Sequence, residues 1–202
     1  MERIKRIGIT GGIGSGKTTV CKVFEMLGIK IFYADDVAKD ILASDSVVVR
    51  KVKKLLGASS YLTEGKPNKP YIASKIFSDP NLREKLNQII HPVVHTYADQ
   101  WYNDVINQGY DHKYVLQEAA LLVENESYKK LDGLIVVTCP EEIRIKRVID
   151  RDHITVDRVK DRINSQLAES IKVSVADFVI VNDNDHLILP QIIRLHKELS
   201  SK

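Results

Sequence analysis

Gly11, Gly16, Lys17 and Thr18 stand at the spacing G-x-x-x-x-G-K-[ST] inside the stretch GITGGIGSGKTTV. Glycine in a strand or helix interior costs about 1 kcal/mol against alanine, so a run this rich in glycine needs a reason. Gly11, Gly12, Gly14 and Gly16 let the backbone take positive φ and turn its N–H groups inward as an anion nest. A helix starting near Lys17 points its positive end at the same place. The Lys17 ammonium then reaches the β and γ phosphates of a nucleotide, and the Thr18 hydroxyl ligates Mg²⁺. The expected polyphosphate cradle comprises Gly12, Ile13, Gly14, Ser15, Gly16, Lys17, Thr18 and Thr19.

A second reactive group follows in FYADDVAKDIL, which places Asp35 and Asp36 after an apolar run. A carboxylate at the carboxyl end of a strand accepts the proton of an attacking hydroxyl or holds it in line with the γ phosphate. The same residue type also caps a following helix, and the apolar face of Val37, Ile41 and Leu42 predicts one. Spacing alone divides the two roles evenly, and one aspartate suffices for each.

Strand-like and helix-like patterns alternate around these residues. Strands are predicted at Ile4 to Thr10, in IKIFYA, YVLQEA and GLIVVT, and in DFVIVN at Asp177. They are short continuous apolar runs, as in parallel strands buried on both faces. The first helix runs from Lys17 to Leu27, with Val20, Val23, Phe24 and Leu27 on one face and Gly28 as its stop. The alternation predicts a doubly wound α/β fold, a five-stranded parallel sheet flanked by helices. Two segments break the rhythm. Residues 57–112 read as helical, with Pro92 dividing one apolar stripe from the next and His91 at the break. Residues 140–174 interleave Arg and Lys with Asp and Glu. The chain thus divides into a nucleotide-binding core (1–56, 113–139, 175–202), a helical insertion (57–112) and a lid (140–174).

The 202 residues, 44% hydrophobic and 28% charged, suit one globular α/β chain. A net charge of +3 gives no argument for nucleic acid. No apolar stretch is long enough to span a membrane. Cys21 and Cys139 fit no metal or redox spacing and are expected as reduced core residues of a cytoplasmic protein. Three classes use such a cradle: a small-molecule kinase, a GTPase switch, and an ATP-driven motor or assembly factor. The only Asn-Lys pair, Asn68-Lys69, is followed by Pro70 and Tyr71, so the guanine signature N-K-x-D is missing. The kinase reading needs an acceptor pocket and a lid, which the two insertions supply.

At this point the chain resembles the dephospho-CoA kinase family along almost its whole length. The cradle resembles that family's opening loop. GIKIFYADDVAKDIL is similar to its next stretch, with Asp35 at the family's second aspartate and Tyr33 in place of the first. LNQIIHPVV, with His91 and Pro92, VLQEAALLVEN, ending in the segment of Glu124, and CPEEIRIKRVIDRD, with Arg147 and Arg151, follow in order. INSQLAESIKVSVADFVIVN, with Gln166, Ala176, Asp177 and Asn182, closes the series. Ala120 stands where the family often has proline, and Glu118 where many members have aspartate.

The resemblance implies a P-loop core and transfer of the γ phosphate of ATP, with Mg²⁺, to the ribose 3′-hydroxyl of dephospho-CoA. It implies Asp35, Lys17 and Arg151 as catalytic groups, Arg147 and Asn182 as further ATP contacts, and Asp35, His91 and Glu118 toward the acceptor. Glu118 holds Mg²⁺ through water or orients Lys17. No protein partner is implied. The alternatives are another P-loop kinase, acting for instance on a nucleoside monophosphate, and a non-catalytic nucleotide switch.

Overall fold

A computed structural model describes residues 3–201. Five strands form a parallel sheet: β1 (Lys5–Gly11), β2 (Ile31–Tyr33), β3 (Tyr114–Glu118), β4 (Gly133–Thr138) and β5 (Phe178–Val181), in the order β2-β3-β1-β4-β5. Central β1 pairs Ile9 with Glu118 of β3 and with Ile135 of β4. The predicted strands all form, with ends moved by one or two residues. The helices are α1 (Lys17–Met26), α2 (Ala34–Ser44), α3 (Ser46–Leu56), α4 (Lys69–Ser78), α5 (Pro80–Asn107), α6 (Glu141–Asp152), α7 (Val156–Asn164), α8 (Glu169–Ser174) and α9 (Ile188–Ser201).

The chain forms two compact units, one of Met1–Tyr33 with Val105–Lys202, the other of Ala34–Asp104. The first unit holds the sheet, and the second begins at Ala34, well before residue 57. The segment 140–174 belongs to the first unit. Its core joins Ile7, Ile9, Phe24, Leu116, Ile135 and Ile192 across sheet and helices. Gly28 ends α1 as expected: at φ 85°, it donates to Glu25, and Ile29 donates back to Phe24 at 3.0 Å. Cys21 and Cys139 are buried, and burial pushes the Cys21 thiol up to about 12.

In the second unit, Pro92 does not divide two helices, contrary to expectation. It lies inside one 28-residue helix, α5. Proline removes one N–H and crowds the carbonyl of residue i−4, here Gln88. Pro92 and Gln88 are both exposed, so water meets the carbonyl that lost its donor. The helix starts at Pro80, a position whose N–H needs no partner, and the Asp79 side chain accepts from Asn81 N at 2.8 Å. Among the described residues no helix is long and apolar enough to cross a membrane.

Candidate active site

The loop from Gly11 to Lys17 joins the centre of the sheet to α1. Ser15 N–H donates to Gly12 O at 3.0 Å, closing a four-residue turn with Gly14 at φ 78°. Gly16 caps α1 at φ 85°, a left-handed conformation suited to glycine, and a Cβ there would run into the Asn182 amide. Thr19 and Val20 both donate to Gly16 O, at 2.9 and 3.2 Å. The α1 helix directs its positive end at this loop, and Thr18 is exposed on its first turn.

Side chains from distant parts of the chain hold the loop. Asn182, one residue past β5 and 9% exposed, donates from Nδ2 to Ser15 O at 2.8 Å. Arg147 donates to Asn182 O at 3.1 Å, and its Nη1 lies 3.3 Å from Cys139 Sγ. From α6, buried Arg144 donates through Nε to Ile13 O at 2.9 Å. Its Nη1 lies 3.6 Å from the Glu169 carboxylate. Gln166 Oε1 accepts from Ile13 N at 2.8 Å, so that N–H is occupied by a side chain.

Lys17 forms an ion pair with Glu118, the last residue of β3. The lysine is only 12% exposed and the glutamate 7%, so Lys17 is not the exposed group that its loop position suggests. Glu118 is Lys17's counter-ion, one of the two roles the sequence left open for it. Behind the loop, Lys172 lies 2.7 Å from Glu124 Oε1, and the same oxygen accepts from Leu167 N at 3.2 Å. Lys172 is 1% exposed. Glu124 Oε2 is buried and has no hydrogen-bond donor among the described residues.

The remaining expected residues divide between the units. Arg151 is exposed and bonds Asp152 through Nε at 2.7 Å, and Arg162 binds the same carboxylate at 2.7 Å. These two cations hold the Asp152 carboxyl below its usual range. Of the two expected arginines, Arg147 is the one that meets the loop's supports. In the second unit, α2 starts at Ala34, so Asp35 and Asp36 both fall in its first turn and neither is its cap residue. Asp36 is 68% exposed and pairs with Lys39 at 2.6 Å. Asp35 is half-buried. His91 is half-buried within α5, and burial lowers its pKa.

Sequence reasoning assigned no role to Arg144, Glu169 or Lys172. A signal existed for Arg144, which sits four residues before buried Val148 and so occupies an apolar stripe.

Residues 5–187 match the family model described as dephospho-CoA kinase. A dephospho-CoA kinase of Staphylococcus epidermidis is 36% identical over 187 residues, 93% of this chain and 91% of that protein. A solved protein of Thermus thermophilus shares 25% identity at a TM-score of 0.84, covering 98% of both chains. The solved dephospho-CoA kinase of Campylobacter jejuni covers 97% of both chains at 24% identity, and its TM-score of 0.70 reports the shared fold.

Proposed function

The chain belongs to the dephospho-CoA kinase family, and from that premise we propose that it transfers the γ phosphate of ATP to the ribose 3′-hydroxyl of dephospho-CoA, giving coenzyme A and ADP. The observation that carries this reading is the cradle. Two left-handed glycines, a helix N-terminus and a lysine held by a buried carboxylate converge on one loop. That arrangement suits a polyphosphate and little else.

In this reading Lys17 neutralises charge spread over the transferring phosphoryl group, and Glu118 keeps the ammonium aimed while the site is empty. Thr18, exposed beside Lys17, would hold Mg²⁺ together with the substrate phosphates. A metal held there would supply positive charge that offsets the charge of the phosphates. The donor set fits. Among the described residues no group of three or more His, Cys, Asp or Glu could hold a metal, and Mg²⁺ is commonly held by few protein oxygens plus phosphates and water. Asp35, two residues past the end of β2, accepts the acceptor hydroxyl's proton. Arg147 and Arg151 neutralise phosphate charge, Asn182 borders the nucleotide, and His91 contacts the acceptor. Residues 140–174 act as the lid and 57–112 as the acceptor-binding insertion. No membrane or nucleic acid takes part, and the setting is the cytoplasm.

An assay of ADP release with dephospho-CoA, with AMP and with no acceptor tests the reaction. Release that depends on dephospho-CoA is expected; release only with AMP would move the chain to another acceptor class. In the same assay Asp35→Asn is expected to lower turnover about 10²- to 10⁴-fold, the usual worth of general-base assistance. Asp36→Asn, at an exposed ion pair, should leave turnover near wild type. The reverse ranking would remove Asp35 from its role.

A further inference from the structure

The turn Gly12–Ser15 has a feature that the phosphate reading alone does not use. Its closing bond runs from Ser15 N to Gly12 O, and its third residue, Gly14, has φ 78°. Ile13 has no positive φ, so the turn is of type II. Types I and II differ by a rotation of roughly 180° of the middle peptide, here Ile13–Gly14. Glycine in the third position is comfortable in either. The loop therefore contains one peptide with two accessible orientations, and something outside the turn must choose between them.

We propose that Arg144 makes that choice and so acts as a positioning residue for the donor phosphates. In a trans peptide the C=O and N–H groups point in opposite directions. Arg144 Nε–H holds Ile13 O at 2.9 Å from the α6 side. This turns the Gly14 N–H away from α6, the direction that the polyphosphate reading of the loop assigns to the phosphates. In the flipped peptide the Ile13 carbonyl takes that place and repels phosphate. The contact is close-fitting: a Cβ on Gly14 would lie 2.6 Å from Arg144 O, and one on Gly12 would lie 2.6 Å from an Arg144 guanidinium nitrogen. Glu169, 3.6 Å from Nη1, fixes the other branch of the fork, and Gln166 holds the preceding N–H of Ile13. Glu169 and Gln166 both lie in the segment 140–174, so the position of that segment is transmitted to the phosphate-binding peptide. The inference rests on the polyphosphate reading of the cradle and is independent of the acceptor's identity.

The test is nucleotide binding without acceptor, joined to amide NMR. Arg144→Met keeps the apolar stem and removes the donors. It is expected to weaken Mg²⁺-ADP binding about 10- to 100-fold, the loss of one hydrogen bond to a charged group. The Gly14 amide resonance should shift or exchange-broaden in the free variant and return toward its wild-type position when ADP saturates, because the ligand selects one peptide orientation. Arg144→Lys extends the test should Arg144→Met not fold. One ammonium cannot serve both Ile13 O and Glu169, so about tenfold weaker binding is expected. Wild-type ADP affinity and an unmoved Gly14 resonance in either folded variant would overturn the proposal. A lowered melting temperature with unchanged affinity would do the same, leaving Arg144 a packing residue. Wild-type protein that binds ADP but does not act on dephospho-CoA would defeat the acceptor assignment and leave this inference standing.

Discussion

Strand β3 is five residues long and buried throughout, yet its two ends finish in different chemistry. At its carboxyl end Glu118 forms an ion pair with Lys17. At its amino end Tyr114, fully buried, meets His196 Nδ1 at 2.8 Å, a contact between two groups that burial keeps neutral. Taking two charges out of water is costly, and a neutral pair of similar size avoids most of that cost. The neutral contact is sufficient to hold an end of the sheet. The ion pair at the other end is retained where charge has a use beyond folding, beside a loop built for anions.

The sharpest way to break this contrast is at Lys17. Lys17→Met is expected to lower turnover by at least about 10²- to 10³-fold, the loss of a donor aimed at transition-state charge. Because it leaves Glu118 buried and alone, it should also cost about 3–5 kcal/mol of stability. Adding Glu118→Gln in the double variant should restore most of that stability and none of the turnover. Urea unfolding and ADP release on the same preparations separate the two effects. If the single variant lost activity without losing stability, the pair would not be buried in the way its 12% and 7% exposures imply.

A second comparison, on stability alone, sets two ion pairs of the first unit side by side. Lys172 is buried against Glu124, whereas Arg162 is half exposed beside Asp152. Lys172→Met should destabilise by about 3–5 kcal/mol. Arg162→Ala should change stability by less than about 1 kcal/mol, since an exposed pair is screened by water. Equal urea midpoints for the two variants would show that burial does not set the worth of charge here.

These pairs also mark where reading the chain as a string runs out. The central strands were readable because β1, β3 and β4 are buried along most of their length, leaving uninterrupted apolar runs such as Leu134 to Val137. The cradle was readable because its spacing is local. The burial of Lys17 was not readable, because its partner Glu118 lies 101 residues further along and no local pattern links the two. Arg144 carried a signal that an ordinary charge-rich helix masks, since Glu141, Glu142, Lys146 and Asp150 on the same helix are exposed or surface residues. Pro92 misled in the opposite direction. A rule of local stereochemistry predicted a break, and an exposed helix face accommodated the proline instead. The boundary at Ala34 was hidden because β2 runs into α2 without an intervening loop.

The smallest expected effect tests the neutral end of β3. Burial and the neighbouring His112 lower the His196 pKa beneath its ordinary 6.5. Tyr110, which donates to Tyr114 O at 3.0 Å and lies against His112, adds no charge that would offset a proton there. The unfolded chain therefore takes up this proton first. Stability attributable to the neutral ring is present above pH 6.5 and falls as pH drops from 6.5 through the lower folded value. His186 works the other way. Its hydrogen bond to Asp183 raises its pKa, so its contribution is full below 6.5 and fades as pH rises through the raised folded value. The two histidines thus act on opposite sides of 6.5 and can be separated in one titration. His196→Asn keeps a hydrogen-bond acceptor for Tyr114 and removes the titration. Its stability, followed by urea unfolding from pH 5 to 8, should be flatter than wild type on the acid side and unchanged in slope on the alkaline side. His186→Asn should flatten only the alkaline side. Burial lowers the His91 pKa as well, so a smaller acid limb is expected to remain in His196→Asn. An acid limb undiminished by that substitution would mean that the Tyr114–His196 contact is not kept neutral by the fold.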